Sequence, residues 1–210
     1  MLGRHHVSSG IALGTMMVSV PTIAGISIVE HHPNSALGHT AFNWLHHWFT
    51  SMHNMSFLSW VGTLLVGGLV FVIGTLLPDI DSPTSSISRM AHTRHIRWPF
   101  PHRTITHSIW PLLACLIASP AIPWLLWLAA GMATHIFLDA LSTGGVCWIW
   151  PITRYHRGPG GTHVNRHHMV RLYRVGTKKE TALNNMIILL AVVLGVIALI
   201  MAITHRSWFI

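Results

Sequence analysis

Three long runs of apolar residues divide the chain, and no charged residue interrupts any of them. The runs cover residues 7–29, 57–77 and 186–204. At about 1.5 Å of rise per residue, a helix formed by each run is long enough to cross most of a hydrocarbon core of about 30 Å. The pattern therefore predicts three membrane-spanning helices.

A fourth apolar region, residues 108–141, contains two prolines near its middle. It has no Lys or Arg, and Asp139 is its one acidic residue. Because proline disfavours continuous helix, Pro120 and Pro123 predict a tight turn between two helices, about 108–119 and 123–141. The sequence thus predicts an all-α integral membrane protein, a single membrane domain over residues 1–210 with about five transmembrane helices.

The distribution of basic residues favours five spans and predicts their orientation. Five spans place the N-terminus, the loop 78–107 and the segment 142–183 on one side, which then carries twelve of the 13 Lys and Arg residues, whereas Arg206 lies on the other side. The positive-inside rule makes the basic side cytoplasmic. We expect segment 142–183 to form a basic cytoplasmic loop or short hairpins.

The composition agrees with a membrane protein and argues against two other classes. With 51% apolar residues, 9% charged residues and a mean hydropathy of +0.51, the chain is unlike a soluble globular domain. The net charge of +8 arises from basic residues dispersed between apolar segments, so we expect no nucleic-acid partner. Cys115 and Cys147 lack the spacing of a zinc ribbon or a disulfide framework, and we interpret them as buried thiols.

The segment 31–56, between the first two spans, is rich in histidine. It contains six histidines together with Trp44 and Trp48, and it has no Lys or Arg. This mixture predicts an amphipathic loop lying at the membrane interface. Metal binding by these histidines is an alternative, although the segment contains no carboxylate or thiolate.

Acidic residues are scarce in this chain, and two of its five follow the second apolar run directly, in "LLPDIDSP". Carboxylates at a helix C-terminus oppose the helix dipole, so a structural role alone explains Asp79 and Asp81 poorly. Under the five-span topology, other metal-binding side chains also come to cytoplasmic helix ends. The full set is His6 (or its neighbour His5), Asp79, Asp81, His102, His107, His135 and Asp139.

This grouping predicts a metal site. His135 and Asp139 are four residues apart and therefore share one helix face. Ionisable groups at membrane depth are costly, and a divalent cation lets imidazoles and carboxylates share a site without mutual repulsion. Mixed ligands of this kind favour zinc, with manganese or iron as alternatives, over calcium. The number of candidates allows one or two ions, and Arg103, between two candidate ligands, is suited either to bind a phosphate or to serve as positive-inside charge.

Four motifs, in order, resemble those of a known family. "HHVSSGIA", "LLPDIDSP", "HRTITHS" and "THIFLDALSTGGVCWIWP" are similar to motifs of the LexA-regulated YdjM-like family of bacterial inner-membrane-associated, metal-dependent hydrolases. The resemblance covers about residues 5 to 151 and suggests a distant relation to zinc-dependent phospholipases C. It implies that the metal residues are His6, Asp79, His107, His135 and Asp139, with Asp81, His102 and Arg103 close by.

From the residues and the resemblance together, we expect a multi-pass enzyme of the bacterial inner membrane with its site facing the cytoplasm. It would hydrolyse a phosphoester of a lipid or lipid-linked substrate with metal-activated water. Asp81 is predicted as the base or a bridging ligand, His102 as the leaving-group acid, and Arg103 as the phosphate-binding residue. A metal-ion transporter and a metal-binding scaffold without catalysis are the alternatives, and the sequence predicts no oligomeric state.

Overall fold

The computed structural model describes residues 3–96, 98–100, 102–151, 155–158, 161–164 and 171–209, and for 155–158 and 161–164 it describes the backbone. The α-helices in these parts of the chain are α1 (Gly3–His31), α2 (Ala36–Asn54), α3 (Phe57–Leu76), α4 (Ser86–Met90), α5 (Ile109–Ala118), α6 (Trp124–Ala140) and α7 (Lys178–Thr204). Short 3-10 helices occupy Leu77–Asp81, Thr93–His95, Ile105–His107 and Arg206–Trp208.

Each predicted apolar run forms a helix. Helices α1 and α7 begin before the predicted 7–29 and 186–204, and α5 and α6 are separated by the turn that Pro120 and Pro123 predict. Three helical segments, Gly3–His31, Phe57–Asp81 and Lys178–Thr204, are long and apolar enough to cross a membrane, whereas α5 and α6 are shorter. The helices thus fit a membrane protein, and the five-span count and the orientation stay predictions.

The histidine-rich segment 31–56 is helical over most of its length, where we expected a loop. Ser35 caps α2, because its hydroxyl accepts a hydrogen bond of 2.9 Å from the backbone N–H of Gly38. Leu45 on this helix is buried, and it packs with Ile26 and Phe209. The segment is therefore helical because one face of it, with Leu45 and Phe49, packs against other apolar residues, even though its composition is polar.

Segment 142–183 contains a short hairpin, as predicted for part of it. Strands β1 (Tyr155–Gly158) and β2 (Gly161–Val164) pair antiparallel, with Gly158 opposite Gly161. Further along, Tyr173 forms a single parallel bridge with Ser142, and α7 begins at Lys178. Arg97, Arg154 and Arg166, three of the twelve basic residues that the five-span topology assigns to the cytoplasmic side, lie outside the described residues.

The chain divides into two compact units, each with its own buried groups. The first unit comprises Met1–Ile11 and Gly67–Asn185, and the second comprises Ala12–Val66 and Met186–Ile210. In the first unit, Ile136, Ala140 and Val146 form a buried apolar cluster. In the second, Ile26, Leu45 and Phe209 do so, with Val29, Phe49 and Met201 packed against them.

Within the first unit, glycines bring the backbones of α3 and α6 together. A Cβ atom on Gly131 would lie 2.9 Å from the backbone nitrogen of Thr75 and would also meet the carbonyl oxygen of Phe71. One on Gly74 would meet the carbonyl oxygen of Leu128. Since small residues let helices approach closely in a membrane, these two glycines set the distance between α3 and α6.

Candidate metal centre

Four predicted metal ligands meet in the first unit. Asp79 lies in the 3-10 turn that continues α3, and His107 ends the 3-10 turn before α5. His135 and Asp139 project from one face of α6, one turn apart. One donor atom from each of the four lies within 4.8 Å of every other. Three separate chain segments thus converge on one small volume.

The distances between these donors suit a single cation. The Nε2 atom of His107 lies 3.5 Å from Asp79 Oδ1 and 3.5 Å from Asp139 Oδ2. The Nε2 atom of His135 lies 3.6 Å from Asp79 Oδ1, 3.8 Å from Asp139 Oδ2 and 3.2 Å from His107 Nε2. A tetrahedral zinc with bonds of about 2.0–2.2 Å places its ligand atoms about 3.4 Å apart. The donors present therefore fit a zinc ion or a similar cation.

Hydrogen bonds on the far side of each imidazole orient both histidines. His135 Nδ1 lies 2.7 Å from the carbonyl oxygen of Thr75, which can only accept, so Nδ1 carries the proton. The hydroxyl of Thr106 donates to Asp81 Oδ2 at 2.8 Å and therefore accepts from His107 Nδ1 at 3.0 Å. Both Nε2 lone pairs are thus free to face the centre, which is the usual outer arrangement around metal-bound histidines.

His6 adjoins the cluster from α1. It is buried, its Nε2 lies 3.4 Å from Asp139 Oδ1, and its ring stacks on that of His135 with 3.8 Å between ring centroids. Among the described residues, its buried Nδ1 has no hydrogen-bond partner. The neighbouring His5 instead bonds Glu180 Oε1 through Nδ1 at 2.8 Å. Of the two histidines between which the sequence leaves a choice, His6 is the one that faces the cluster.

A second group of potential ligands, Asp81, His102 and His107, lies beside the first. His102 Nδ1 is 2.7 Å from Asp81 Oδ1, and His102 Nε2 is 3.7 Å from Asp79 Oδ1. The two oxygens of Asp81 therefore hold His102 directly and His107 through Thr106. The His102 side chain is 37% exposed and that of Asp79 17%, whereas those of His107, His135 and Asp139 are 0% exposed. The centre is thus accessible from the side of Asp79 and His102.

Arg103 also points into the centre. Its Nη2 lies 3.0 Å from Asp139 Oδ2, and its Nη1 donates to the Ser142 hydroxyl at 3.2 Å. The residue has a positive φ of 66°, and a Cβ atom on Gly144 would overlap Nη1. The guanidinium therefore depends on a glycine for its place beside the buried carboxylate.

The carboxylates also set the protonation of His107. Burial by itself lowers the pKa of His107, but the hydrogen bonds and charges of Asp139 and Asp79 outweigh it and raise this pKa above its usual range. Tyr173 is buried nearby, and burial together with the charges of Asp139 and Glu180 raises the pKa of its hydroxyl. This neutral hydroxyl donates to the carbonyl oxygen of Leu138 at 2.6 Å. Without a cation, a proton on His107 is the favoured partner of the two carboxylates.

The structure brings every residue that we predicted for the site into the first unit: His6, Asp79, Asp81, His102, Arg103, His107, His135 and Asp139. Sequence reasoning missed the partners that orient them, namely the Thr75 carbonyl, the Thr106 hydroxyl and Ser142, and it missed Glu180, which bonds the neighbouring His5. The rarity of acidic residues could have drawn attention to Glu180. A backbone carbonyl leaves no signal in the sequence.

Fold and site together define a helical membrane protein with a buried group of histidines and aspartates that could hold a metal ion. Residues 1–208 match the family described as YdjM inner membrane protein, and the chain belongs to that family. The resemblance of the motifs is thereby confirmed.

One curated relative is the uncharacterized protein YvsG of Bacillus subtilis (strain 168), which is 36% identical over 87 residues. The match covers 39% of this chain and 54% of YvsG, so it spans about half the length of that relative. No solved structure matches the chain.

Proposed function

We propose that this protein is a membrane-bound, metal-dependent hydrolase that cleaves a phosphoester in a lipid or lipid-linked substrate. The observation that carries the proposal is the convergence of Asp79, His107, His135 and Asp139, with Arg103 at 3.0 Å from Asp139. A cation site built only for structure is usually closed, whereas this one has a partly exposed ligand at its edge.

Asp79, His107, His135 and Asp139 would hold the cation, and His6 lies against Asp139 as a further ligand or hydrogen-bond donor. When bound, a divalent cation supplies a nucleophilic water near neutral pH and polarises the phosphoryl group. Asp81 is better suited to orient histidines than to bind a second ion, because both its oxygens already accept hydrogen bonds. The proposal therefore needs one ion, with zinc as the first choice and manganese or iron as alternatives.

His102 is placed to transfer a proton. It is the most exposed of the clustered histidines, and its Nδ1 bonds to Asp81 Oδ1 at 2.7 Å, so the carboxylate orients the imidazole. The opposite nitrogen, Nε2, faces the accessible side near Asp79. In this scheme His102 donates a proton to the leaving group and Asp81 positions it.

Arg103 is placed to bind the phosphate. Two of its nitrogens contact Asp139 and Ser142, and the guanidinium has five N–H donors in all. The remaining donors can bind phosphate oxygens in the planar, forked geometry that favours arginine over lysine. The same side chain would thus link the buried carboxylate to the substrate.

The test is a hydrolysis assay on the purified full chain, loaded with zinc, manganese or iron, against phospholipids and isoprenoid phosphates. We expect one of these classes to be cleaved, and cleavage to stop in the His102→Gln and Arg103→Lys variants while their metal content stays unchanged. Loss of metal in those variants would assign them to the metal site instead.

Full metal content with no hydrolysis of any class would overturn the enzymatic proposal. The same preparation placed in liposomes then distinguishes the other classes, because a transporter moves zinc across the bilayer and a scaffold does not.

A further inference from the structure

The second unit contains a cavity of about 610 Å³ that plays no part in the metal centre. It lies among α1, α2 and α7, and its size is within the range of about 300–1,000 Å³ that is common for small-molecule sites. Its wall on α2 consists of Trp48, Phe49, Met52 and His53.

Small side chains on two helices leave this space open. On α7, Gly195, Ala198 and Ala202 face the cavity at helical spacing, and on α1 the facing residues include Ser19 and Thr22. The Ser19 hydroxyl donates to the carbonyl oxygen of Thr15 at 2.8 Å, and that of Thr22 donates to Val18 at 2.8 Å. Since both hydroxyl protons are used within α1, these side chains offer a ligand no free donor. The interior therefore suits an aliphatic chain.

One edge of the cavity carries a positive charge. Arg206 lines it there, and its Nη2 donates to His53 Nδ1 at 3.4 Å. Arg206 is the only Lys or Arg of the second unit, whose only acidic residue is Glu30. Among the described residues, no carboxylate forms an ion pair with Arg206. An anionic group of a ligand would therefore complement the charge of Arg206 at this edge.

We propose that the cavity binds an anionic phospholipid, with an acyl chain among α1, α2 and α7 and the phosphate at Arg206 and His53. Helices α1 and α7 are long and apolar enough to cross a membrane. An apolar opening on these helices would therefore face the acyl chains of the bilayer. A cluster of apolar side chains alone would accept any lipid. The arginine at the edge is what selects an anionic one.

The experiment is a titration of the purified full chain in detergent, followed by native mass spectrometry, with phosphatidylglycerol and with phosphatidylcholine of identical acyl chains. We expect phosphatidylglycerol to bind at least tenfold more tightly, a difference of about 1.4 kcal/mol. Arg206→Gln should abolish this preference, whereas Arg206→Lys, which keeps the charge, should retain it.

A second pair of variants tests the chain-binding part. Ala202→Leu fills the cavity and should weaken the binding of both lipids, whereas Ala182→Leu adds the same side chain at an exposed position of α7 and should not. Metal content, measured in parallel, should stay unchanged in every variant, so this test is independent of the proposed hydrolase.

Equal binding of the two lipids by the unmodified chain would overturn the proposal. So would a preference that survives Arg206→Gln, or lipid binding that is insensitive to Ala202→Leu. A change of oligomeric state in Ala202→Leu without a change in lipid binding would mean that a second copy of the chain covers the cavity, and it would overturn the proposal as well.

Discussion

The two units of this chain differ in the kind of polar side chain that they bury. The first contains four of the five acidic residues, and its buried histidines and carboxylates contact one another. The second contains one acidic residue, Glu30, and its buried hydroxyls on Ser19 and Thr22 bond to the backbone of their own helix. A hydroxyl can bond to the backbone of its own helix, as those of Thr75 and Thr134 in the first unit also do, whereas the buried histidines and carboxylates take partners from other segments. Cation binding should therefore depend on the first unit alone.

The largest expected effect is the loss of the cation on changing Asp139. Asp139→Asn preserves the shape of the side chain but removes its charge. Loss of a residue that only hydrogen-bonds a metal ligand costs roughly 10- to 100-fold in metal affinity, so loss of a ligand charge should lower zinc affinity by more than that. The matched control is Glu30→Gln, the same change at the one acidic residue of the second unit. Elemental analysis and a chelator competition titration measure both. Equal zinc affinity in the two variants would contradict the assignment of the site.

The second prediction concerns the glycine contact that sets the position of His135. Gly131→Ala should lower the free energy of unfolding by about 1–3 kcal/mol, because the added methyl group forces α3 and α6 apart. Gly68→Ala on α3 is the control, since a Cβ atom there has no neighbour within 4 Å, and it should raise stability by up to about 1 kcal/mol. Denaturation in detergent measures both. A gain in stability for Gly131→Ala as large as that for Gly68→Ala would show that the helices adjust freely.

The third prediction tests the hydrogen-bonded chain from His107 through Thr106 to Asp81. Thr106→Val keeps the volume but breaks the chain, so it should reduce zinc affinity by about 10-fold, within the range known for outer partners. Thr84→Val changes an exposed threonine in the same unit and serves as the control. The titration used for Asp139 gives both values, and an unchanged affinity in Thr106→Val would remove Thr106 from the centre.

The last prediction concerns pH, whose effect over one pH unit is no larger than that of Thr106→Val. The pKa of His107 is raised, so in the cation-free protein its pairing with Asp79 and Asp139 stabilises the fold fully below the ordinary value of 6.5 and is lost as the pH rises through the higher folded pKa. A cation must displace that proton. Zinc affinity should therefore fall by about tenfold for each pH unit below the pKa of His107.

Thermal melting between pH 6 and pH 9, with and without a chelator, measures the competition between the proton on His107 and the cation. Above pH 6.5 the stability of the metal-free protein should decrease with rising pH, and that of the zinc-loaded protein should not. Parallel curves would mean that the proton on His107 does not compete with the cation. Glu30→Gln, which leaves the first unit unchanged, should show the same pair of curves.

Much of the fold and the identity of the site residues followed from the sequence. Apolar runs without charges fixed where α1, α3 and α7 lie, and Pro120 and Pro123 located the turn between α5 and α6. Rare carboxylates were informative because an acidic side chain at membrane depth is costly to keep. The histidine-rich α2 was harder to predict, since the packing of Leu45 on Ile26 and Phe209, and not its composition, explains its helical form.

Residue type and helical spacing are local properties, so the order of amino acids was enough to identify the side chains that could bind a metal. Three further features follow from packing: His6 and not His5 faces Asp139, Asp81 hydrogen-bonds His102 directly and His107 through Thr106, and the Thr75 carbonyl orients His135. The contact between Thr75 and His135 depends on the close approach of α3 and α6 at Gly74 and Gly131. Contacts between residues distant along the chain arise from packing, and no local pattern encodes them.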